Sequence, residues 1–178
     1  MLNLLLQAFY LSLPVYFANM APVLTRKKGK EYAPLDFGLT FREKRVFGKN
    51  KTIRGFLIGI AFAIAVAFLQ YIFQTLGWFS TVRVLNYNNW LALGLLMGFG
   101  AMAGDSLKSF FKRQLDYKPG QSFFPFDQID FIIGGLLMAM IIEKLPLNLM
   151  ITAIVLAPAL HIVTNHIGYY IRIRDEKW

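Results

Sequence analysis

The chain has 178 residues, of which 56% are hydrophobic and only 16% are charged, whereas soluble domains average about 45–50% apolar and about 25% charged residues. This excess of apolar residues indicates a membrane protein. The net charge is +9, but the basic residues lie between long apolar runs, which argues against a nucleic-acid-binding surface. The absence of cysteine excludes disulfides, thiolate nucleophiles and thiolate metal sites.

Five apolar segments follow one another along the chain. Since a crossing needs about 20 mostly apolar residues, they predict transmembrane helices at about 2–24, 55–79, 88–106, 128–144 and 147–171. Pro14 interrupts the first span, which is tolerated if a neighbouring helix satisfies the carbonyl that it frees. The fourth apolar run is short enough for a re-entrant segment, but we favour a full crossing. The predicted fold is all-α, a single polytopic membrane domain over residues 1–178 with two long loops.

Small residues recur at spacings that place them on one side of a helix. Such rows let membrane helices approach closely, so we expect them at helix–helix contacts. The rows are Gly55, Gly59, Ala63 and Ala67, then Gly94 and Gly98, then Gly100 and Gly104.

Basic residues are distributed unevenly between the two sides of the predicted bundle. All but Arg83 and Lys144 of the 19 Lys and Arg residues lie in segments 25–54 and 105–130 or in the C-terminal tail. The positive-inside rule therefore predicts that both long loops and the C-terminus are cytoplasmic, with the N-terminus outside the plasma membrane. Nine of the ten acidic residues lie on the same side, so we expect the polar chemistry there.

The segment 47–55 leads into the second span and contains Lys51, Thr52 and Arg54 beside glycines. Basic side chains and free backbone amides at a helix start suit a phosphate, so we predict that these three residues bind phosphate. The glycine spacing of a P-loop is absent. The alternative interpretation is ordinary positive-inside charge.

The segment 104–113 begins where the third span reaches the loop. If the helix continues, Asp105, Lys108, Ser109 and Lys112 share one face. That face offers a carboxylate, a hydroxyl and two ammonium groups. A salt-bridged helix end is the alternative, but carboxylates in membrane spans are usually functional.

Asp127 and Asp130 open the fourth span, one helical turn apart. Two hard carboxylates at that spacing suit Mg²⁺, which usually completes its shell with water and substrate phosphates. Helix capping is the alternative and is compatible with coordination. In the last span, His161 and His166 are interpreted mainly as packing residues, with a ligand role the lesser alternative.

These motifs together resemble a known enzyme family. Gly104-Asp105, Lys108-Ser109, Lys112-Arg113 and Asp127-Gln128-Ile129-Asp130 resemble the C-terminal signature of CTP:phosphatidate cytidylyltransferases. The Asp-Gln-x-Asp form and the stretch 51–55 look like the archaeal branch, the CDP-archaeol synthases. The Pro-Gly-His-Gly-Gly stretch of the bacterial and eukaryotic branch is missing, and Pro119-Gly120 stands in that region.

The resemblance implies transfer of CMP from CTP to a lipid phosphate, 2,3-bis-O-geranylgeranyl-glycerol 1-phosphate, with release of pyrophosphate. The nucleophile is already an anion, so catalysis is expected to depend on positioning and charge neutralisation. Asp105, Asp127 and Asp130 are expected to hold Mg²⁺ and, with Lys112, to be catalytic. The residues expected to bind CTP and phosphate are Lys51, Thr52, Arg54, Lys108, Ser109, Lys112 and Arg113.

Three other functions are alternatives to this one, and the sequence argues against the second of them. A phosphatidate cytidylyltransferase would act on diacyl lipid. A CDP-alcohol phosphotransferase would need a longer aspartate-rich signature, which we do not find. A small transporter would need polar groups facing each other at mid-membrane, and the spans have almost none apart from His161 and Asn165. No nucleic-acid partner is expected, and the sequence identifies no protein partner.

Overall fold

The structure is a computed structural model that describes residues 1–26, 29–118 and 121–170. Five α-helices follow in chain order: α1 (Leu2–Leu24), α2 (Ile53–Thr75), α3 (Trp90–Gln114), α4 (Phe126–Ala139) and α5 (Leu147–Tyr170). The α1–α2 loop holds an antiparallel pair of two-residue strands, β1 (Thr40–Phe41) and β2 (Lys44–Arg45), which is an addition to the predicted all-α fold. Lys27, Lys28, Pro119-Gly120 and the basic C-terminal tail lie outside the described residues.

Four helices in the described part of the chain are long and apolar enough to cross a membrane: Leu2–Leu24, Ile53–Thr75, Tyr87–Gln114 and Leu147–Thr164. Helix α4 has 14 residues, or about 21 Å at 1.5 Å per residue, whereas the hydrocarbon core is about 30 Å thick. The predicted full crossing at 128–144 is therefore not confirmed.

The short length of α4 has a cause that hydropathy does not reveal. After Ala139 the chain makes tight turns, in which the Ile142 amide donates to the Ala139 carbonyl. Glu143 fixes the turn by accepting a hydrogen bond from the Asn86 amide at 3.0 Å. The turn then returns Leu145 to the buried core. The apolar residues Met140 and Ile141, which look like a helical extension, thus belong to an exposed turn.

The carbonyl freed by Pro14 finds a partner on the next helix. Pro14 has no N–H, so the Tyr10 carbonyl four residues earlier loses its helical donor. The buried Gln70 of α2 donates its side-chain N–H to that carbonyl at 2.7 Å. This contact confirms that a neighbouring helix satisfies the interrupted span, and α1 remains one helix through Pro14.

Helix α3 packs against α1, α2 and α4, and the core lies around it. The predicted small residues do make its contacts. A Cβ atom at Gly98 would lie 2.9 Å from the Ile60 Cα of α2, and one at Gly100 would lie 2.2 Å from the Gly134 carbonyl oxygen of α4. One turn further on, a Cβ at Gly104 would lie 2.4 Å from the Asp130 carbonyl oxygen. The α3 and α4 backbones therefore touch next to the predicted site.

Replacing Gly100 with leucine tests this contact. The new side chain would meet backbone atoms that cannot move aside, so we expect Gly100→Leu to lower the free energy of unfolding by at least about 2 kcal/mol. Ala92→Leu is the matched control, because Ala92 is exposed on the same helix. Thermal unfolding in detergent measures both. Equal stabilities for the two variants would contradict the close packing of α3 on α4.

Candidate active site

A cavity of about 570 Å³ lies between the end of α1, the start of α2, the second half of α3, the start of α4 and α5. Part of its wall is apolar and includes Met20, Val23, Leu24, Phe56, Met102 and Ile162. Another part is ionic and includes Lys51, Asp105, Lys108, Lys112 and Asp127. The cavity is thus suited to a molecule with a charged end and an apolar end.

Lys108 lies at the centre of the ionic wall. Its ammonium nitrogen is 3.0 Å from a carboxylate oxygen of each of three aspartates, Asp105, Asp127 and Asp130. Only 12% of the Lys108 side chain is exposed. A buried ammonium is stable only when it is paired, and here three carboxylates from two helices share it.

Two further lysines flank this centre. Lys51 forms an ion pair with Asp105. Lys112 lies 3.1 Å from both carboxylate oxygens of Asp127 and also donates to the Gln121 carbonyl. Three ammonium groups therefore face three carboxylates in this cluster.

Helix geometry explains the convergence. Asp105, Lys108 and Lys112 lie at i, i+3 and i+7 of α3 and line one face, as predicted. Asp127 and Asp130 lie one turn apart at the start of α4. Because Gly104 lets the α4 backbone touch α3 at Asp130, the two sets of side chains meet.

The α1–α2 loop supplies Lys51, and the buried Asp36 organises that loop. Its carboxylate forms an ion pair with Arg45 and accepts hydrogen bonds from the amides of Gly38, Phe47 and Gly48. Burial raises the pKa of Asp36, but the hydrogen bonds from Arg45 and the three amides outweigh it and lower the pKa from 3.8 to about 2. Asp36 escaped the sequence analysis because nothing in its spacing distinguishes it from a solvated acid.

Backbone bonds then fix Lys51 and Thr52. The Leu35 amide donates to the Lys51 carbonyl at 2.7 Å, and Pro34 forms a bridge with Thr52. Thr52 caps α2, since its hydroxyl accepts a hydrogen bond from the Gly55 amide at 3.1 Å. Both residues line the cavity, as a phosphate-binding role requires.

Arg54 and Arg113 are placed differently from Lys51. Arg54 donates to the Thr25 carbonyl at 3.0 Å and stacks over the Tyr32 ring. Arg113 donates to the Lys118 carbonyl at 3.3 Å. Neither arginine is among the described residues that line the cavity, so both brace loops in the structure.

Ser109 is also turned away from the cavity. Its buried hydroxyl donates to the Asp105 carbonyl of its own helix at 2.9 Å. Ser106 lines the cavity instead and donates to the Met102 carbonyl. Ser106, three residues before Ser109, thus takes the place at the cavity wall that was predicted for Ser109.

Further polar residues of the cavity wall were missed from the sequence, among them Tyr16, Asn19, Asn50, Gln121 and Gln128. The Tyr16 hydroxyl and the Gln128 side-chain oxygen are buried there without a described hydrogen-bond partner. Asn19 could have been predicted, because a polar side chain within an apolar span is usually functional. Asn50 and Gln121 lie in loops, Gln128 lies within the aspartate motif and Tyr16 lies within the first span, and none of these positions carried a signal.

The two histidines belong to α5. His161 lines the cavity, and its ring centroid is 6.0 Å from that of Phe131. The His166 ring lies within hydrogen-bond distance of the Ile162 carbonyl of its own helix. The side chain of Asn165 lies outside the described part of the structure. These contacts agree with packing roles.

The carboxylate oxygens of the cluster are suitable ligands for a hard cation. Both carboxylate oxygens of Asp130 are buried without a hydrogen bond of good geometry, although the Lys108 ammonium lies 3.0 Å from one of them, and carboxylate oxygens are the ligands that Mg²⁺ prefers. Within the described part of the chain, however, no group of three or more His, Cys, Asp or Glu side chains has the arrangement of a metal site. The Lys108 ammonium lies where the three carboxylates converge, so it takes the position that such an ion would need.

Comparisons with known proteins agree over the whole chain. The family model described as "CarS-like: CDP-archaeol synthase" matches residues 1–178. The CDP-archaeol synthase of Archaeoglobus fulgidus is 35% identical over 100% of both chains, and that of Thermococcus onnurineus is 36% identical over 99% of both. A solved structure of an intramembrane enzyme for archaeal membrane lipid biosynthesis has a TM-score of 0.73 and 27% identity, covering 89% of this chain and 92% of the other.

The hydrogen bonds that Asp36 accepts in the α1–α2 loop provide a test of how Lys51 is positioned. We expect Asp36→Asn to reduce hydrogen-exchange protection of the Gly38, Phe47 and Gly48 amides at least about tenfold, since hydrogen bonds to charged groups contribute roughly 1.5–3 kcal/mol. Glu43→Gln, which removes an exposed acid from the same loop, is the control.

The same carboxyl gives the loop a defined pH dependence. Because the folded pKa of about 2 lies below the ordinary 3.8, the stabilisation is present above about pH 4 and is lost as the pH falls through about 2. Unchanged amide protection in Asp36→Asn would contradict the role of Asp36.

Proposed function

Because the chain belongs to the CDP-archaeol synthase family, we propose that the cavity beside Lys108 is where it carries out CTP-dependent formation of CDP-archaeol. The enzyme is a nucleotidyltransferase of archaeal membrane lipid biosynthesis. The observation that supports this location is the convergence of Asp105, Asp127 and Asp130 on one lysine in a cavity with both an ionic and an apolar wall.

The reaction joins two phosphates. A phosphate oxygen of the prenyl-ether glycerol phosphate attacks the α-phosphorus of CTP, the bond between that phosphorus and the α–β bridging oxygen breaks, and pyrophosphate leaves. The attacking oxygen is already an anion, so no general base is needed. Holding the two substrates in line and neutralising their charge then provide most of the catalysis. Lys51, Lys108 and Lys112 line the cavity and are positioned to do so.

Charge balance supports a magnesium requirement. The three lysines already face three carboxylates, so the cluster has no surplus positive charge to offer a triphosphate. Asp105, Asp127 and Asp130 would hold Mg²⁺, which supplies charge neutralisation to the triphosphate and to the leaving pyrophosphate when it is bound. Catalytic roles are proposed for these three aspartates and Lys112.

The apolar part of the cavity wall favours a lipid substrate. Phe56, Met102 and Ile162 line it beside the ionic cluster, so a phosphate headgroup at the lysines leaves its prenyl chains against apolar side chains. We assign 2,3-bis-O-geranylgeranyl-glycerol 1-phosphate as this lipid from the family.

The distribution of basic residues supports a cytoplasmic active site. Lys51, Lys108 and Lys112 belong to the two segments that hold most of the basic residues, which the positive-inside rule assigns to the cytoplasm. This orientation puts the N-terminus outside the plasma membrane and gives the site direct access to cytoplasmic CTP. We propose that the 14-residue α4 is inserted as the fifth, short membrane segment.

The assay for this proposal follows transfer of label from α-labelled CTP into organic-extractable lipid by the purified enzyme in vesicles. We expect the product with CTP, Mg²⁺ and the prenyl-ether lipid phosphate, and much less with other nucleoside triphosphates. A diacyl lipid phosphate accepted equally well would remove the lipid assignment. Ion or solute flux without any CTP turnover would instead favour a transporter.

The aspartates are tested separately in the same assay. We expect Asp127→Asn and Asp130→Asn each to lower kcat at least about 100-fold, because each removes a charged group from the phosphate-transfer centre. Asp116→Asn is the control, since Asp116 is exposed and pairs with Lys44 away from the cavity. Near wild-type activity in both site variants would remove the metal assignment.

A second pair of variants separates neighbouring basic residues. Lys51 lines the cavity, whereas Arg54 contacts Thr25 and Tyr32. We expect Lys51→Met to lower kcat/KM for CTP at least about 30-fold, because it removes a partly buried charge that neutralises phosphate. Arg54→Met should lower thermal stability more than kcat/KM. The reverse order of effects on kcat/KM would show that Arg54 is the phosphate ligand.

A further inference from the structure

Lys108 is paired with three carboxylates at once. Its nitrogen has three N–H donors, and three carboxylate oxygens lie 3.0 Å from it, one each from Asp105, Asp127 and Asp130. The flanking lysines differ from it: Lys51 contacts Asp105, and Lys112 contacts Asp127. Lys108 is therefore the described cation that all three carboxylates share.

A divalent ion bound by the same carboxylates would compete with this ammonium for its position. Mg²⁺ binds carboxylate oxygens at about 2.0–2.1 Å and requires near-ideal octahedral geometry. An ammonium at the convergence of the three carboxylates obstructs that geometry and repels the ion. Both cations cannot occupy one centre.

We propose that Lys108 is an exchangeable internal cation: it neutralises the three carboxylates until a divalent ion takes its position, and its ammonium group then moves to the substrate phosphates in the cavity. This inference rests on the proposed magnesium site. It makes Lys108 a positioning residue for the metal and a phosphate ligand after the exchange.

The surroundings of Lys108 allow this movement. The residue lines the cavity, and a lysine side chain has four flexible carbon–carbon bonds that let the ammonium swing without moving the helix. Asp105 keeps Lys51 as a partner and Asp127 keeps Lys112 and the Phe123 amide. Among the described residues, Asp130 is paired with Lys108 and with no second cation, so its oxygens pass directly from the lysine to the incoming ion.

The exchange also links two binding events. Each cation occupies the carboxylates only when the other has left, so lysine pairing weakens metal binding and metal binding releases the lysine by the same factor. A phosphate that attracts Lys108 into the cavity therefore strengthens metal binding. The two substrates and the metal are thus expected to bind cooperatively.

Metal affinity in the absence of nucleotide tests the exchange directly. Mn²⁺ serves as the probe, and its binding to the full chain in detergent is measured by electron paramagnetic resonance. We expect Lys108→Met to bind Mn²⁺ at least about tenfold more tightly than the wild-type protein, because buried carboxylates lose their internal cation. Lys44→Met is the matched control, since Lys44 pairs with the exposed Asp116, and its Mn²⁺ affinity should equal that of the wild type.

A measurement on the wild-type protein covers the case in which Lys108→Met does not fold. Modification of Lys108 by an amine-reactive reagent is followed by mass spectrometry with and without Mg²⁺, and Lys44 is the internal reference. We expect Mg²⁺ to raise the labelling rate of Lys108 several-fold and to leave Lys44 unchanged. An unchanged or reduced rate at Lys108 would overturn the exchange.

The outcomes separate this inference from the proposed function. Equal Mn²⁺ affinity of the wild type and Lys108→Met overturns the exchange, while the magnesium site and the enzyme activity stand. Absence of Mn²⁺ binding in both proteins overturns the exchange together with the magnesium site. Tighter binding by Lys108→Met alone, with its kcat reduced, supports both roles of Lys108.

Discussion

Backbone contact between α3 and α4 is the constraint on which the site depends. At Gly100 and Gly134 each helix occupies the space that a side chain of the other would need, and at Gly104 the same is true of the Asp130 carbonyl. This contact sets the distance between the acidic first turn of α4 and the basic face of α3. A larger residue there would push α4 away, and with it the two carboxylates, Asp127 and Asp130, that α4 brings to Lys108. The small residues thus position ionic groups as well as packing helices.

Much of this arrangement could be predicted from local patterns. Helical periodicity places Asp105, Lys108 and Lys112 on one face, and glycine spacing marks the contacts of α3, because both depend only on residues within a few turns. Hydropathy located the five helices for the same reason. The freed carbonyl of Pro14 also implied a donor, although the sequence did not identify Gln70. Each of these predictions concerns one helix or one interface.

Other features depend on contacts between distant segments and had no local signal. Hydropathy extended α4 through 144, but the hydrogen bond from Asn86 to Glu143 belongs to a turn that joins two loops. Charge alone grouped Arg54 with Lys51, yet the Tyr32 ring and the Thr25 carbonyl direct Arg54 elsewhere. The sharing of Lys108 by three aspartates required the relative position of two helices. Spacing within either helix does not contain that information.

The hydrogen bond from Gln70 to the Tyr10 carbonyl bears on how the protein is made. A lone α1 released into lipid would carry a bare carbonyl beside Pro14, and an isolated α2 would carry a bare amide at Gln70, each at a cost of several kcal/mol. Together the two segments satisfy the Tyr10 carbonyl and a side-chain N–H of Gln70. Membrane insertion during synthesis is therefore favoured when the ribosome has delivered both segments, so that they leave the translocation channel as a helical hairpin.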